Sequence, residues 1–474
     1  MISLNIDTKE KHSISPYLYM QFMEPLGTAD ASVDAAWDFT EKDWIPCVMD
    51  KIRELGPTMV RFGGTMIDYY HWKEAVGPNR IPMINHCWGG IYHNQVGTHE
   101  VIDFCRKINA EPLMLVNMES DGFDNWAHPK NDGDRLGTAE EAAEWVRYCN
   151  DPDALRLEHG VEEPYNIKYW QIGNETSYRI RDKLGFSLDG CYDATNRFVE
   201  AMRKADPDIK LIAWGDKTFT GENWIKKMST VDGVEMLAFH HHFGSGLPDS
   251  PLRGTAYRDD IDLTWLHLMN AHKSLDKHIR ELRADCGNKR LAMTEGHFGL
   301  PGRNRNEVLS SWGAGVAYAR CLNVIMRHSD IIDIATMADF FGNLWQVNAV
   351  MIPSPVPYYG MPYLQPVGAV MSLFGHHQGE KALDISYEGD VDAVASKTGN
   401  TVYLHIANTD MHNAKQLSLN IGTKGTMYVI AADPKTEITP DNLDVFAVEK
   451  VEIDTADFTL PKAAVAAIEI ELKT

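Results

Sequence analysis

From about residue 15 to residue 375, short apolar or β-branched runs alternate with longer segments whose apolar positions recur at helical spacing. The runs are TMVRFGG (58–64), PLMLVNM (112–118), IKYWQIGNE (167–175), KLIAWG (210–215), MLAFHHHF (236–243) and RLAMTEG (290–296). Between them VIDFCRKIN (101–109), TAEEAAEWVRYCN (138–150) and YDATNRFVEAMRKA (192–205) read as amphipathic helices, the last stopping before Asp206-Pro207. This alternation predicts an α/β fold, a parallel sheet with crossover helices. Several strands end in polar residues: Arg61 with Gly63-Gly64, Asn117, Asn174-Glu175, His240 to His242, and Thr294-Glu295. In a (β/α)8 TIM barrel that end carries the chemistry.

Beyond residue 376 the texture changes to short alternating strands joined by Gly, Asn, Asp and Lys turns, with no helical stretch. The opening run ISLNID has the same period and is expected to add an edge strand to this all-β module. The expected organisation is an N-terminal strand over 1–14, a barrel over 15–375 and a C-terminal antiparallel β-sandwich over 376–474.

Composition narrows the partners. A chain of 474 residues that is 44% hydrophobic can bury a large core, and its 45 basic against 67 acidic side chains leave a net charge of −22. That charge gives no counterion-release drive toward nucleic acid and no attraction to anionic membrane, so a small neutral partner is expected. The N-terminus shows no basic-then-apolar leader, and no stretch reaches the roughly 18 apolar residues of a membrane span. The seven cysteines are scattered without metal-ligand spacing, which fits reduced thiols in a cytoplasmic protein with no metal and no cofactor.

Two carboxylates stand out. Glu175 ends the strand Trp170-Gln171-Ile172-Gly173-Asn174, where neighbouring aromatics would raise its pKa toward that of a general acid. Glu295 ends Leu291-Ala292-Met293-Thr294 in the same way, 120 residues later. At roughly 40 residues per βα unit that is three units on, so both reach one barrel face. Paired carboxylates about 5 Å apart are what a retaining glycosidase requires. In the triplet His240-His241-His242 alternate residues share a strand face, so His240 and His242 are expected inward as orienting groups and His241 outward. Tyr69, Tyr70, Trp72, Trp88, Tyr178, Phe243 and Phe298 are candidates to line sugar subsites.

The ordered set Tyr19-Met20-Gln21-Phe22-Met23-Glu24-Pro25-Leu26-Gly27, Arg61-Phe62-Gly63-Gly64 through Tyr70-His71-Trp72, Asn94-Gln95-Val96-Gly97-Thr98, Ala142-Ala143-Glu144-Trp145-Val146 and Gly173-Asn174-Glu175 resembles glycoside hydrolase family 51 of clan A, mainly α-L-arabinofuranosidases. The resemblance implies a (β/α)8 barrel with a β-sandwich fed by both termini, Glu175 as acid/base and Glu295 as nucleophile. It also implies sugar contacts from Glu24, Arg61, Thr65, Trp88, Asn174, His240, His242 and His297. A small carbohydrate substrate follows, and a homo-oligomer, since many members are cytoplasmic hexamers. The departures from the family's pattern lie around the sugar: Thr65 stands where an Asn is usual, His297 and His242 replace an Asn and a Tyr, and a sugar-binding Gln between Ala338 and Asn343 is absent. The reading is a retaining α-L-arabinofuranosidase. Its rivals are a clan A glycosidase acting on a β-xyloside, β-glucoside, glucuronide or endo-β-glucan, and a carbohydrate-binding pseudoenzyme.

Overall fold

In the computed structural model, which describes residues 1–120, 136–179, 187–217, 221–302 and 304–472, the apolar runs become neighbouring strands of one parallel sheet. They are β1 (Gln21–Met23), β2 (Met59–Phe62), β3 (Glu111–Val116), β4 (Tyr169–Ile172), β5 (Lys210–Trp214), β6 (Met236–Phe243), β7 (Arg290–Phe298) and β8 (Ile332–Ala335), paired in sequence order. The ring closes between β8 and the chain just before β1, where Met20 N–H donates to Ala335 O at 2.9 Å and Ala335 N–H to Tyr17 O at 3.1 Å. Leu291, Ala292 and Met293 on adjacent positions of β7 are all fully buried, as expected for a strand covered on both faces.

The crossover helices start and stop where local chemistry directs. Thr138 caps Ala139–Asn150 by accepting from Glu141 N–H, and Ser187 caps Leu188–Ala205 by accepting from Gly190 N–H. Pro46 opens Pro46–Leu55, which Gly56 ends at φ 70°. One irregularity shapes the catalytic end of the barrel. Between β6 and β7 the register slips at Phe239/His240, so that Thr294 is passed over and His240 lies opposite Glu295.

A nine-stranded sheet holds the C-terminal fifth, in the order Glu449–Asp454, Lys424–Ile430, Val465–Glu471, Thr401–Asn408, Val391–Thr398, Lys381–Ser386, Ile2–Asp7, Lys415–Leu419, Phe458–Leu460. Both ends of the chain enter it. The first strand is not at an edge, however: Ile2–Asp7 runs antiparallel to Lys381–Ser386 and parallel to Lys415–Leu419. Burying Leu4 and Ile6 on one face produces the same alternation at an edge or inside a sheet, so side-chain pattern does not distinguish the two. Among the described residues no helix is long and apolar enough to cross a membrane. All seven cysteines are free, five of them buried.

Candidate active site

Arg61, on β2 and fully buried, organises the centre of the barrel mouth. Its Nη1 donates to Glu295 Oε1 at 2.9 Å and to Gly63 O at 3.2 Å, its Nη2 to Asn174 Oδ1 at 2.6 Å and its Nε to Gln171 Oε1 at 3.0 Å. A forked guanidinium thus fixes residues from β2, β4 and β7 in one plane, and supplies the charge that a carboxylate only 12% exposed requires. Asn174 spends its carbonyl on Arg61 and leaves its Nδ2 without a partner among the described residues.

Glu175 follows β4 through a tight turn in which Gly173 (φ 72°) and Glu175 itself (φ 50°) are left-handed. For a glutamate that backbone is strained, and it aims the side chain across the barrel toward β6. There His240 Nδ1 lies 2.9 Å from Glu175 Oε1 and 3.5 Å from Glu295 Oε2, and His240 Nε2 lies 3.0 Å from Thr294 Oγ1. Burial pushes His240 down to about 3, so the ring is neutral. With two carboxyl groups facing Nδ1, that nitrogen carries the proton and Nε2 accepts from the Thr294 hydroxyl. Facing oxygens of Glu175 and Glu295 lie within 4.8 Å of each other through this shared ring. Burial also raises Glu175 above the ordinary carboxylate range, against the partial opposition of His242 and Arg61.

Glu24, just past β1, is buried, and its Oε1 accepts from Trp88 Nε1 at 2.9 Å and from Met66 N–H at 2.8 Å. Burial, with Glu295 nearby, pushes it up to about 8, so it is a neutral acid at pH 7. Gly64 makes room for it: a Cβ there would come within 2.1 Å of Glu24 Oε2. Because the folded protein holds a proton that the unfolded chain releases from about pH 4.5 upward, Glu24 lowers stability progressively as pH rises from about 4.5 to about 8. Glu24→Gln is therefore expected to melt with a shallower dependence on pH across that window than the wild type. Parallel Tm-against-pH lines for the two proteins would contradict this.

Glu24, Thr65, Trp88, Glu175, Glu295, His242 and His297 line one cavity of about 480 Å³, while Arg61, Asn174 and His240 support it from beneath. His242 is exposed at the rim, its ring 4.4 Å from that of His297, whereas His241 faces outward to His278 and Ser274. Of the aromatic candidates, Trp88 and Tyr178 line the cavity, but Tyr69, Tyr70, Trp72, Phe243 and Phe298 are buried in the core. Aromatic residues dominate cores and subsites alike, so residue type did not separate the two groups.

Three cavity or support residues were not anticipated. Asp339 occupies the segment where a glutamine was sought; burial, with Glu295 adding to it, raises its pKa well above the usual carboxylate range. Its buried Oδ1 has no hydrogen-bond partner among the described residues, and His297 Nε2 stands 3.6 Å away. Trp345 packs edge-on against Trp88 at 5.5 Å. Asp216, just beyond β5, is fully buried and accepts from Tyr178 OH at 2.6 Å and His240 N–H at 3.2 Å.

The chain matches two family models, an α-L-arabinofuranosidase 1 domain over residues 51–246 and an α-L-arabinofuranosidase C-terminal domain over residues 300–464. An intracellular exo-α-(1→5)-L-arabinofuranosidase of Acetivibrio thermocellus is 28% identical over 52% of this chain and 49% of its own. An intracellular exo-α-L-arabinofuranosidase of Bacteroides ovatus is 25% identical over 87% of this chain and 82% of its own. Apart from the Bacteroides ovatus protein, the chain spans about half the length, or less, of the curated relatives it matches. Among solved structures, a family 51 α-L-arabinofuranosidase from Bifidobacterium longum superposes with a TM-score of 0.80 at 19% identity over 99% of each chain. One from Thermotoga petrophila does so at 0.78 and 22%, over 99% of this chain and 100% of that one. A family 44 xyloglucanase from Paenibacillus polymyxa reaches 0.62 at 12%, over 99% of each chain, so the fold alone does not select a sugar.

Proposed function

Because the chain belongs to glycoside hydrolase family 51, we propose that it is a retaining, exo-acting α-L-arabinofuranosidase. The observation that carries this reading is the pair of carboxyl groups with facing oxygens within 4.8 Å, joined through His240. A separation near 5 Å leaves no room for a water between nucleophile and sugar, and so favours double displacement over inversion.

Glu295, held by Arg61 through Oε1, attacks the anomeric carbon with Oε2 to form a glycosyl ester. Glu175, whose pKa burial raises above the ordinary carboxylate range, donates to the departing glycosidic oxygen and then takes a proton from the water that cleaves the ester. Asn174 Nδ2 is the donor for the hydroxyl next to the anomeric carbon. Glu24, Asp339 and His297 bind other hydroxyls in the cavity. A site that sets donors against particular hydroxyls rejects sugars that lack them. The intracellular names of the relatives and the family resemblance support a cytoplasmic homo-oligomer.

The test is the stereochemistry of the first product. Hydrolysis of 4-nitrophenyl α-L-arabinofuranoside followed by proton NMR is expected to show α-L-arabinofuranose first, with the β anomer growing in by mutarotation. The β anomer first would overturn the mechanism. Release from only another glycoside, with configuration kept, would move the substrate.

A further inference from the structure

A chain of hydrogen bonds leaves the cavity and runs outward through side chains that the chemistry above does not use. Asp216 Oδ1 lies 2.8 Å from His278 Nε2, on the helix His272–Asp285. His278 Nδ1 lies 2.8 Å from His241 Nδ1, and His241 Nε2 lies 3.1 Å from Ser274 Oγ, which donates to Ala271 O at 2.9 Å. Asp216 Oδ1, a carboxylate oxygen that also accepts from Lys217 N–H at 2.7 Å, can only accept, so His278 Nε2 is the donor of this pair.

We infer that His278 is, through Asp216, a positioning residue for the acid/base Glu175. The inference rests on the proposed role of Glu175. Asp216 is the hub. Its second oxygen holds Tyr178, three residues beyond Glu175, and the backbone of His240, the ring that meets Glu175. Trp214 Nε1 braces the same turn by donating to Ser177 Oγ at 2.7 Å. Burial works against charge on Asp216, yet the bonds from His278 and Tyr178 win and hold it below the usual carboxylate range. Burial, with His278 beside it, takes His241 down to about 3. The groups facing His278 are Asp216 beyond β5, His241 and Phe239 on β6, and, nearby, the Lys217–Glu281 ion pair at 2.5 Å.

One kinetic comparison tests this. His278→Gln is expected to slow cleavage of methyl α-L-arabinofuranoside, whose leaving group needs a proton, by about 10- to 100-fold, and of the 4-nitrophenyl glycoside by less than about 3-fold. Equal losses on both would mean a general structural role and would overturn the inference. If the wild type cleaves neither glycoside, the substrate reading fails, and the same comparison, made with the methyl and 4-nitrophenyl forms of the glycoside it does cleave, still decides the role of His278.

Discussion

Glu295→Gln is expected to lower kcat/KM by about 10⁴-fold or more on every glycoside that the wild type cleaves. In the proposed mechanism the carboxylate attacks through the oxygen that Arg61 does not hold, and an amide of the same shape cannot form the glycosyl ester. The substitution keeps an oxygen for Arg61 Nη1 at its 2.9 Å contact, so Arg61 and Asn174 are expected to stay in register and the protein to fold. A companion variant separates chemistry from binding. Glu295→Ala opens space for a small anion, and azide is expected to restore release from the 4-nitrophenyl glycoside, giving a glycosyl azide of inverted configuration. More than a tenth of wild-type activity in Glu295→Gln, measured on the 4-nitrophenyl and methyl glycosides, would remove Glu295 from the role of nucleophile.

That both carboxylates were visible beforehand follows from how a barrel uses its strands. A fully apolar run that ends abruptly in a carboxyl group shows where burial meets solvent, and the 120-residue interval placed the second such end three strands after the first, on β7 against β4. The strands that escaped notice are β1 and β8, of three and four residues. They close the barrel mainly through backbone bonds around Tyr17, Met20 and Ala335, which side-chain pattern does not encode. Ile2–Asp7 was legible as a strand but not in its place, for the same reason.

The supporting groups were less legible than the reacting ones. Asp216 stands at the end of β5 just as Glu175 stands at the end of β4, and the strand-end rule applied to KLIAWG would have found it. His278 offers no such signal. It is one histidine on a polar helix, and its role exists only because β5 and β6 bring Asp216 and His241 to either side of its ring. Asp339 lies on a short strand, Asp339–Gly342, outside the eight of the barrel, so counting βα units does not reach it. Contacts made by tertiary closure leave little periodic trace in a sequence, whereas residues placed by strand ends do.

The joint between barrel and sandwich gives the largest expected effect on stability. Asp392, on the strand Val391–Thr398 and 5% exposed, accepts from Arg320 Nε at 3.1 Å, from Arg327 Nη2 and from Asn323 Nδ2 at 3.0 Å, all on the helix Trp312–Arg327. Burial opposes its charge, but the two guanidinium groups prevail and hold it below the usual carboxylate range. Removing the carboxylate leaves two cations facing each other at a packed interface. Asp392→Ala is expected to destabilise the protein by about 2–4 kcal/mol, toward the lower end of the cost of breaking a buried pair because Arg327 keeps 36% of its side chain in water. Asp392→Asn keeps the volume and one acceptor, and should recover part of the loss. Urea unfolding at pH 7 measures both variants. Since the folded pKa is depressed, the stabilisation is present above the unfolded aspartate's value near pH 4 and fades as pH falls through the lower folded one, so the gap between wild type and Asp392→Ala should narrow in acid. A difference under about 0.5 kcal/mol at pH 7, the size of an exposed pair, would mean that the Asp392 cluster adds little to the joint.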